Sequence, residues 1–194
     1  CKNITPKYLD TIRKRIVNSK LIILDTNLEE ETLRYLAFLR RKPPLILDTV
    51  STKKAIKVKD FIGRFHTIKP NRMEAEILSG ISIYSKDDMK RAGDYFLNKG
   101  VKKVFISLGS DGVFFMTENI AETIKIPRIN PASSTGAGDA FVAGIAYGEY
   151  HDYDIKSAAK IGLGAAILTS LSDKTVSEQM SIKNVENIIR EMEI

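Results

Sequence analysis

The amino-acid sequence predicts an α/β fold of three layers, α/β/α, built on a mainly parallel sheet. Two observations carry that prediction. Short apolar runs alternate with helical patterns through the first half of the chain, the order of βαβ units, whose right-handed crossovers place helices on both faces of a sheet. Polar residues collect where the apolar runs end, with Asp25, Asn27, Asp48, Asn71 and Ser107 each following one. In open parallel sheets, ligands bind beyond the carboxyl ends of the strands. A chain of 194 residues, 43% of them hydrophobic, can bury a substantial core and is expected to form a single domain over 1–194.

The elements follow in order. A helical pattern at 5–18 precedes Leu21-Ile22-Ile23-Leu24, which ends at Asp25-Thr26-Asn27. A second helix at about 29–41 keeps Leu33, Leu36, Ala37 and Leu39 apolar and precedes Leu45-Ile46-Leu47-Asp48. A third, at about 52–61, precedes a strand over 64–68, and a fourth opens at Asn71. After a helix at 85–98, strands at 103–107 and 113–117 flank Leu108-Gly109-Ser110-Asp111-Gly112, which reads as a hairpin turn. A short strand at 121–126 and helices at about 136–149, 154–171 and 181–192 complete the chain. Gly162-Leu163-Gly164 sits inside an alanine-rich helical pattern rather than after a strand. It reads as close helix packing, not as a dinucleotide fingerprint.

Composition narrows the function classes. Lysine and arginine total 30 against 24 acidic residues, a net charge of +6. The basic runs Arg13-Lys14-Arg15, Arg40-Arg41-Lys42 and Lys53-Lys54 read as solvated helix faces or ends, spread along the chain. No nucleic-acid-binding module accompanies the charge, and attraction for a polyanionic small ligand such as a nucleotide accounts for it as well. Cys1 is the only cysteine, so an intrachain disulfide is excluded and a reducing, cytoplasmic setting is expected. No apolar run approaches the length of a membrane span, and the start lacks a basic-then-apolar signal pattern. His66 and His151 have no partners at metal spacing, so no zinc site is expected.

Three segments carry chemistry. In Ser133-Ser134-Thr135-Gly136-Ala137-Gly138-Asp139, a bare-backbone turn opens a helix. One reading is a capped helix, with Ser134 or Thr135 as N-cap and Asp139 favourable in the first turn. The other is an anion cradle of free N–H groups, with Asp139 as the general base that takes a proton from an attacking hydroxyl. In Asn71-Arg72-Met73-Glu74, the spacing is that of a capping box, with Gly80 as the helix stop. The same amide and carboxylate can orient waters around Mg²⁺ beside a phosphate. In residues 107–112, a plain turn competes with a nucleotide contact made by Ser107, Gly109, Ser110 and Gly112.

Together and in this order, the three segments resemble the PfkB carbohydrate kinases, the ribokinase-like kinases. Residues 130–145 resemble the family's carboxyl-terminal motif around Gly-Ala-Gly-Asp, Asn71 to Glu74 its Asn-x-x-Glu motif, and 107–112 its nucleotide-contacting turn. Asp48-Thr49-Val50-Ser51 and His66-Thr67-Ile68-Lys69-Pro70-Asn71 are similar to the Asp-Pro-Val-Ser and His-Thr-Leu-Lys-Pro-Asn segments of its pseudouridine-kinase branch. The resemblance implies a three-layer ribokinase-like fold and transfer of phosphate from ATP to a nucleoside or sugar hydroxyl, with pseudouridine the favoured acceptor. Kinases for other acceptors such as ribose or fructose, and a non-catalytic nucleotide-binding regulator, are the alternatives.

By the same resemblance Asp139 would be the base, and Gly136, Ala137 and Gly138 would stabilise the transferring phosphoryl group. Glu74 and Asn71 would help place Mg²⁺, with Asp48 joining that network. Ser133 stands where family members often carry an acidic residue that supports a monovalent-cation site, so the resemblance does not extend to K⁺ dependence. The chain resembles about the last two-thirds of such an enzyme. The amino-terminal strands, the lid and a glycine-rich sugar-contacting motif are not recognisable in it, so these residues alone are expected to bind nucleotide without efficient turnover. The partners implied are the small-molecule acceptor and ATP, without membrane or nucleic acid, and a homodimer is left open.

Overall fold

Four of the apolar runs become parallel strands in the computed structural model, which describes residues 1–194. These are β1 (Ile22–Asp25), β2 (Leu45–Asp48), β3 (Thr67–Lys69) and β4 (Lys103–Ser107). The register sets Ile22 opposite Leu45, Asp25 opposite Asp48, Asp48 opposite Lys69 and Thr67 opposite Lys103. Every residue of β2 and β3 is buried, as expected of parallel strands covered on both faces. The strand order is β1-β2-β3-β4-β5-β6, where β5 is Val113–Met116 and β6 is Ala121–Ile124. The chain divides into two compact units, residues 1–107 with 116–121, and 108–115 with 122–194.

In the first unit the helical patterns at 5–18, 29–41 and 52–61 form shorter helices than the sequence suggests, whereas that at 85–98 forms at full length. The pattern at 5–18 splits into α1 (Pro6–Thr11) and α2 (Arg13–Val17) at Ile12, whose φ of −112° and ψ of 12° leave the helical region. The pattern at 29–41 yields α3 (Glu30–Phe38), which stops before Arg41 at φ 60° and the Pro43-Pro44 pair. The pattern at 52–61 becomes α4 (Thr52–Ala55), capped by the Ser51 side chain, and then a 3₁₀ segment over Ile56–Arg64. That segment kinks at Phe61, whose ring packs between those of Phe38 and Phe65. Tertiary ring packing thus overrides local helix preference, and the strand expected from 64 starts only at Thr67. The helices α5 (Arg72–Ser79) and α6 (Lys86–Lys99) end on Gly80 and Gly100, both left-handed.

Parallel pairing also corrects the reading of the basic residues as scattered. The segments that precede β2, β3 and β4 all lie at the amino-terminal edge of the sheet, and they bring Arg40, Arg41, Lys42, Arg64, Lys99 and Lys102 there. Lys42 Nζ donates to the Ala37 and Arg64 carbonyls, the latter at 2.6 Å. Lys102 N–H donates to the His66 carbonyl at 2.9 Å. Residues 39–44, 63–66 and 98–103 contain no aspartate or glutamate. Burial, and then the neighbouring Arg64 charge, hold the Lys42 ammonium below its ordinary pKa.

The second unit is built on α7 (Ala137–Tyr150), α8 (Ile155–Ser170) and α9 (Ile182–Glu191). Asp154 caps α8 by accepting from the Ser157 N–H at 2.9 Å, and Ser181 caps α9. Glycines let the helices approach closely. A Cβ on Gly144 would lie 2.6 Å from the Gly162 Cα, and one on Gly162 would lie 2.9 Å from the Phe141 ring. Gly164 opens the same space for Val185 and Ile189 of α9, which pack with Ile161, Ala165 and Leu168. The Gly162-Leu163-Gly164 segment is therefore a packing surface, as its sequence context indicates. No helix is long and apolar enough to cross a membrane. Replacing Gly144 by valine is expected to cost about 1–3 kcal/mol through overpacking, measured as a lowered urea midpoint.

Candidate active site

In the first unit the carboxyl ends of the parallel strands gather the polar residues that follow each apolar run. At β1, Asn27 turns back on Asp25, its N–H donating to Oδ1 at 2.8 Å and its amide to Oδ2 at 3.0 Å. Lys54 Nζ donates to Asn27 Oδ1 at 2.5 Å. At β2, Asp48 Oδ1 lies 3.0 Å from Lys69 Nζ, and both side chains are only 8% exposed. Register creates this pair, since Asp48 and Lys69 are direct cross-strand partners. Asp48 Oδ1 also accepts the Val50 N–H at 3.1 Å. The sequence reads Lys54 only as part of a solvated helix end and gives Lys69 no role, because the partner of each lies 27 or 21 residues away.

At β3 the Asn71–Glu74 capping box forms as the spacing indicates. Asn71 Oδ1 accepts the Glu74 N–H at 2.9 Å, and Glu74 Oε2 accepts the Asn71 N–H at 2.9 Å. Asn71 Nδ2 donates to Glu74 Oε1 at 2.8 Å, and the Thr49 hydroxyl lies 2.5 Å from Oε2. Glu74 is thus a carboxylate only 2% exposed with three donors around it, which compensates the burial of its charge. An isolated parallel bridge joins Asn71 to Ser107, and the Ser107 N–H donates to the Pro70 carbonyl at 2.9 Å. The structure therefore brings Asn71, Glu74 and Ser107 together, with Asp48 one strand away.

The donor set decides what cation such a place could take. No group of three or more His, Cys, Asp or Glu side chains is positioned to enclose a metal ion. A single carboxylate and an amide are hard oxygen donors, and Glu74 Oε1 has acceptor capacity beyond its bond from Asn71. That set suits Mg²⁺, which keeps most of its waters and takes its remaining ligands from phosphate.

In the second unit, the turn between β4 and β5 is a 3₁₀ turn over Gly109–Asp111, closed by the Leu108 N–H on the Gly112 carbonyl at 2.9 Å. Gly109 and Gly112 have φ of 62° and 95°. They serve different purposes. A Cβ on Gly112 would collide with the Ile124 carbonyl, whereas one on Gly109 would meet nothing within 4 Å. Gly112 is a packing glycine, and Gly109 leaves backbone open to solvent beside the exposed Ser110.

The start of α7 corrects the capped-helix reading. Neither Ser134 nor Thr135 is the N-cap; Gly136 is, at φ 86°, and no side chain caps the helix. A Cβ at Gly136 would run into the Thr175 carbonyl, so both backbone conformation and space require glycine. The Ser133 hydroxyl accepts the Thr135 N–H at 3.1 Å and so shapes the approach to the turn rather than capping the helix. The Ala137 N–H donates to the Ser134 carbonyl at 3.4 Å, and no side chain caps the remaining first-turn N–H groups, the donors a helix start offers to an anion or water. Asp139 stands in that first turn, exposed. Gly136, Ala137, Gly138 and Asp139 thus share one turn.

Comparison with known proteins agrees with this architecture. The model of the pfkB family carbohydrate kinases matches residues 3–180, and the chain belongs to that family. It is 31% identical over 191 residues to the pseudouridine kinase of Escherichia coli (strain K12), covering 98% of this chain and 61% of that protein. A crystal structure from Clostridium perfringens superposes with a TM-score of 0.91 at 37% identity, over 95% of this chain and 58% of that one. The ribokinase of Thermotoga maritima shares the fold, with a TM-score of 0.79 at 20% identity over 97% of this chain and 62% of that one. The architecture is thus ribokinase-like, and the chain spans about three-fifths of the length of these relatives.

The buried Asp48–Lys69 pair supplies a test of how this edge is built. Lys69→Met leaves a buried carboxylate without its partner and is expected to destabilise the protein by about 3–5 kcal/mol. The double variant Asp48→Leu/Lys69→Met is expected to recover most of that loss, both read from urea unfolding curves.

Proposed function

We propose that this chain is the nucleotide-binding and catalytic part of an ATP-dependent kinase that phosphorylates a nucleoside or sugar hydroxyl. The favoured reaction converts pseudouridine and ATP into pseudouridine 5′-phosphate and ADP. The observation that carries this reading is the start of α7: a helix without a side-chain cap behind a left-handed Gly136, with an exposed carboxylate, Asp139, in its first turn. Family membership supports phosphoryl transfer as the chemistry, and the E. coli relative supports the acceptor.

In this reading the α7 N–H groups at Gly136 to Gly138 hold negative charge as it develops on the transferring phosphoryl group. Asp139 accepts the proton of the attacking hydroxyl. Asp139 suits that role because its carboxylate is not held by a cap. Glu74 and Asn71 orient the waters of Mg²⁺, whose charge offsets that of the phosphates when it is bound, and Asp48, held by Lys69, is the outer member of that network. Ser107, Gly109 and Ser110 hold the nucleotide, where the bare, open backbone of Gly109 permits close approach, and Gly112, packed against the Ile124 carbonyl, shapes the turn that presents them. The single cysteine fits a reducing, cytoplasmic setting.

The deciding experiment compares Asp139→Asn with the parent in the intact protein. Turnover on pseudouridine is expected to fall about 10²–10⁴-fold while nucleotide affinity holds. Unchanged turnover would remove Asp139 as the base. Parent turnover on ribose or uridine that exceeds turnover on pseudouridine would reassign the acceptor, and nucleotide binding with no transfer to any acceptor would favour a regulator.

A further inference from the structure

The turn after β2 is strained and closely hydrogen-bonded, and none of the roles above uses it. Val50 has φ 58°, in the left-handed region that branched side chains rarely enter. Its side chain is 40% exposed, so burial does not hold it there. Hydrogen bonds do. The Ser51 N–H donates to the Thr49 carbonyl at 2.6 Å, and the Val50 N–H to Asp48 Oδ1 at 3.1 Å. The Thr26 hydroxyl donates to the same Thr49 carbonyl at 2.6 Å.

Strain of this kind persists only when the surroundings over-determine it, and what this turn fixes is the Thr49 side chain. Thr49 is fully buried. Its hydroxyl lies 2.5 Å from Glu74 Oε2 and 3.4 Å from the Lys69 carbonyl. A hydroxyl has one proton to give, and the nearer, ionisable acceptor takes it. The two other donors on Glu74 both come from Asn71, within the same helix cap. Thr49 comes from the end of β2, and of the three donors it alone ties the carboxylate to that strand.

We propose that Thr49 is a positioning residue: by donating to Oε2 it sets the rotation of the Glu74 carboxylate, so that the free acceptor capacity of Oε1 is presented to a hydrated divalent cation in one orientation. The proposal rests on the reading that Glu74 helps to place Mg²⁺. The hydroxyl matters through Glu74 and touches neither nucleotide nor acceptor.

The test measures ATP binding to the full chain by calorimetry across a Mg²⁺ series, with thermal unfolding recorded in parallel. The proteins are the parent, Thr49→Val, Thr49→Ala, Thr49→Ser and Glu74→Gln. Thr49→Val and Thr49→Ala are expected to raise the Mg²⁺ concentration for half-maximal binding about tenfold, the scale for loss of a group that orients a metal ligand. Thr49→Ser is expected to return it close to the parent value, and metal-free ATP affinity is expected to stay the same throughout. A lowered melting temperature with an unchanged Mg²⁺ requirement would make the hydroxyl merely structural and overturn the proposal. If Glu74→Gln raises the requirement and neither Thr49→Val nor Thr49→Ala does, the proposal fails and the reading of Glu74 stands. If Glu74→Gln leaves it unchanged, or the parent binds no nucleotide at any Mg²⁺ concentration, that reading fails and the proposal with it.

Discussion

In-register parallel pairing of β1 to β4 organises the first unit at both of its edges. Because side chains alternate along a strand, Asp48 and Lys69 meet only while their residues are direct partners, as they are here. A slip of one residue would turn one of them to the opposite face. The fully apolar interior of β2 and the burial of every residue in β3 resist such a slip. The same pairing levels the strand ends, so that Asn71 bridges to Ser107 and the Thr49 hydroxyl reaches Glu74. It also gathers the basic segments at the other edge, where no acidic residue lies within the three loops before β2, β3 and β4.

Glycine plays a different part in the second unit. At Gly144 and Gly162 the missing side chain lets α7 and α8 pack backbone against backbone, which fixes the helix that carries Asp139. At Gly136 the backbone is left-handed and faces the Thr175 carbonyl. Glycine there ends the preceding turn and starts α7 without offering a side-chain acceptor to the first N–H groups. A serine or aspartate cap in its place would satisfy those donors internally and remove the reason an anion would bind.

Much of this was legible from the chain alone. The alternation of apolar runs with helices placed β2 and β4 at their observed limits, and the Asn71–Glu74 spacing formed the capping box it suggests, with Gly80 ending the helix. These features depend on neighbours within a few residues, and local pattern records them. The helix breaks at Ile12 and Phe61 were not legible, nor was Gly136 as the cap. Ring packing decides the break at Phe61 and a carbonyl 39 residues away decides Gly136, while nothing in the structure explains the break at Ile12.

Residue types, their order and their local spacing are written in the sequence, and they suffice for the fold class, the family and the candidate chemical groups. Which groups meet is settled by tertiary structure. Thr49 with Glu74, Asp48 with Lys69, and the basic loops at one edge are pairings across strands. Such contacts depend on register, and register is chosen by burial of the whole sheet rather than by any short segment of it.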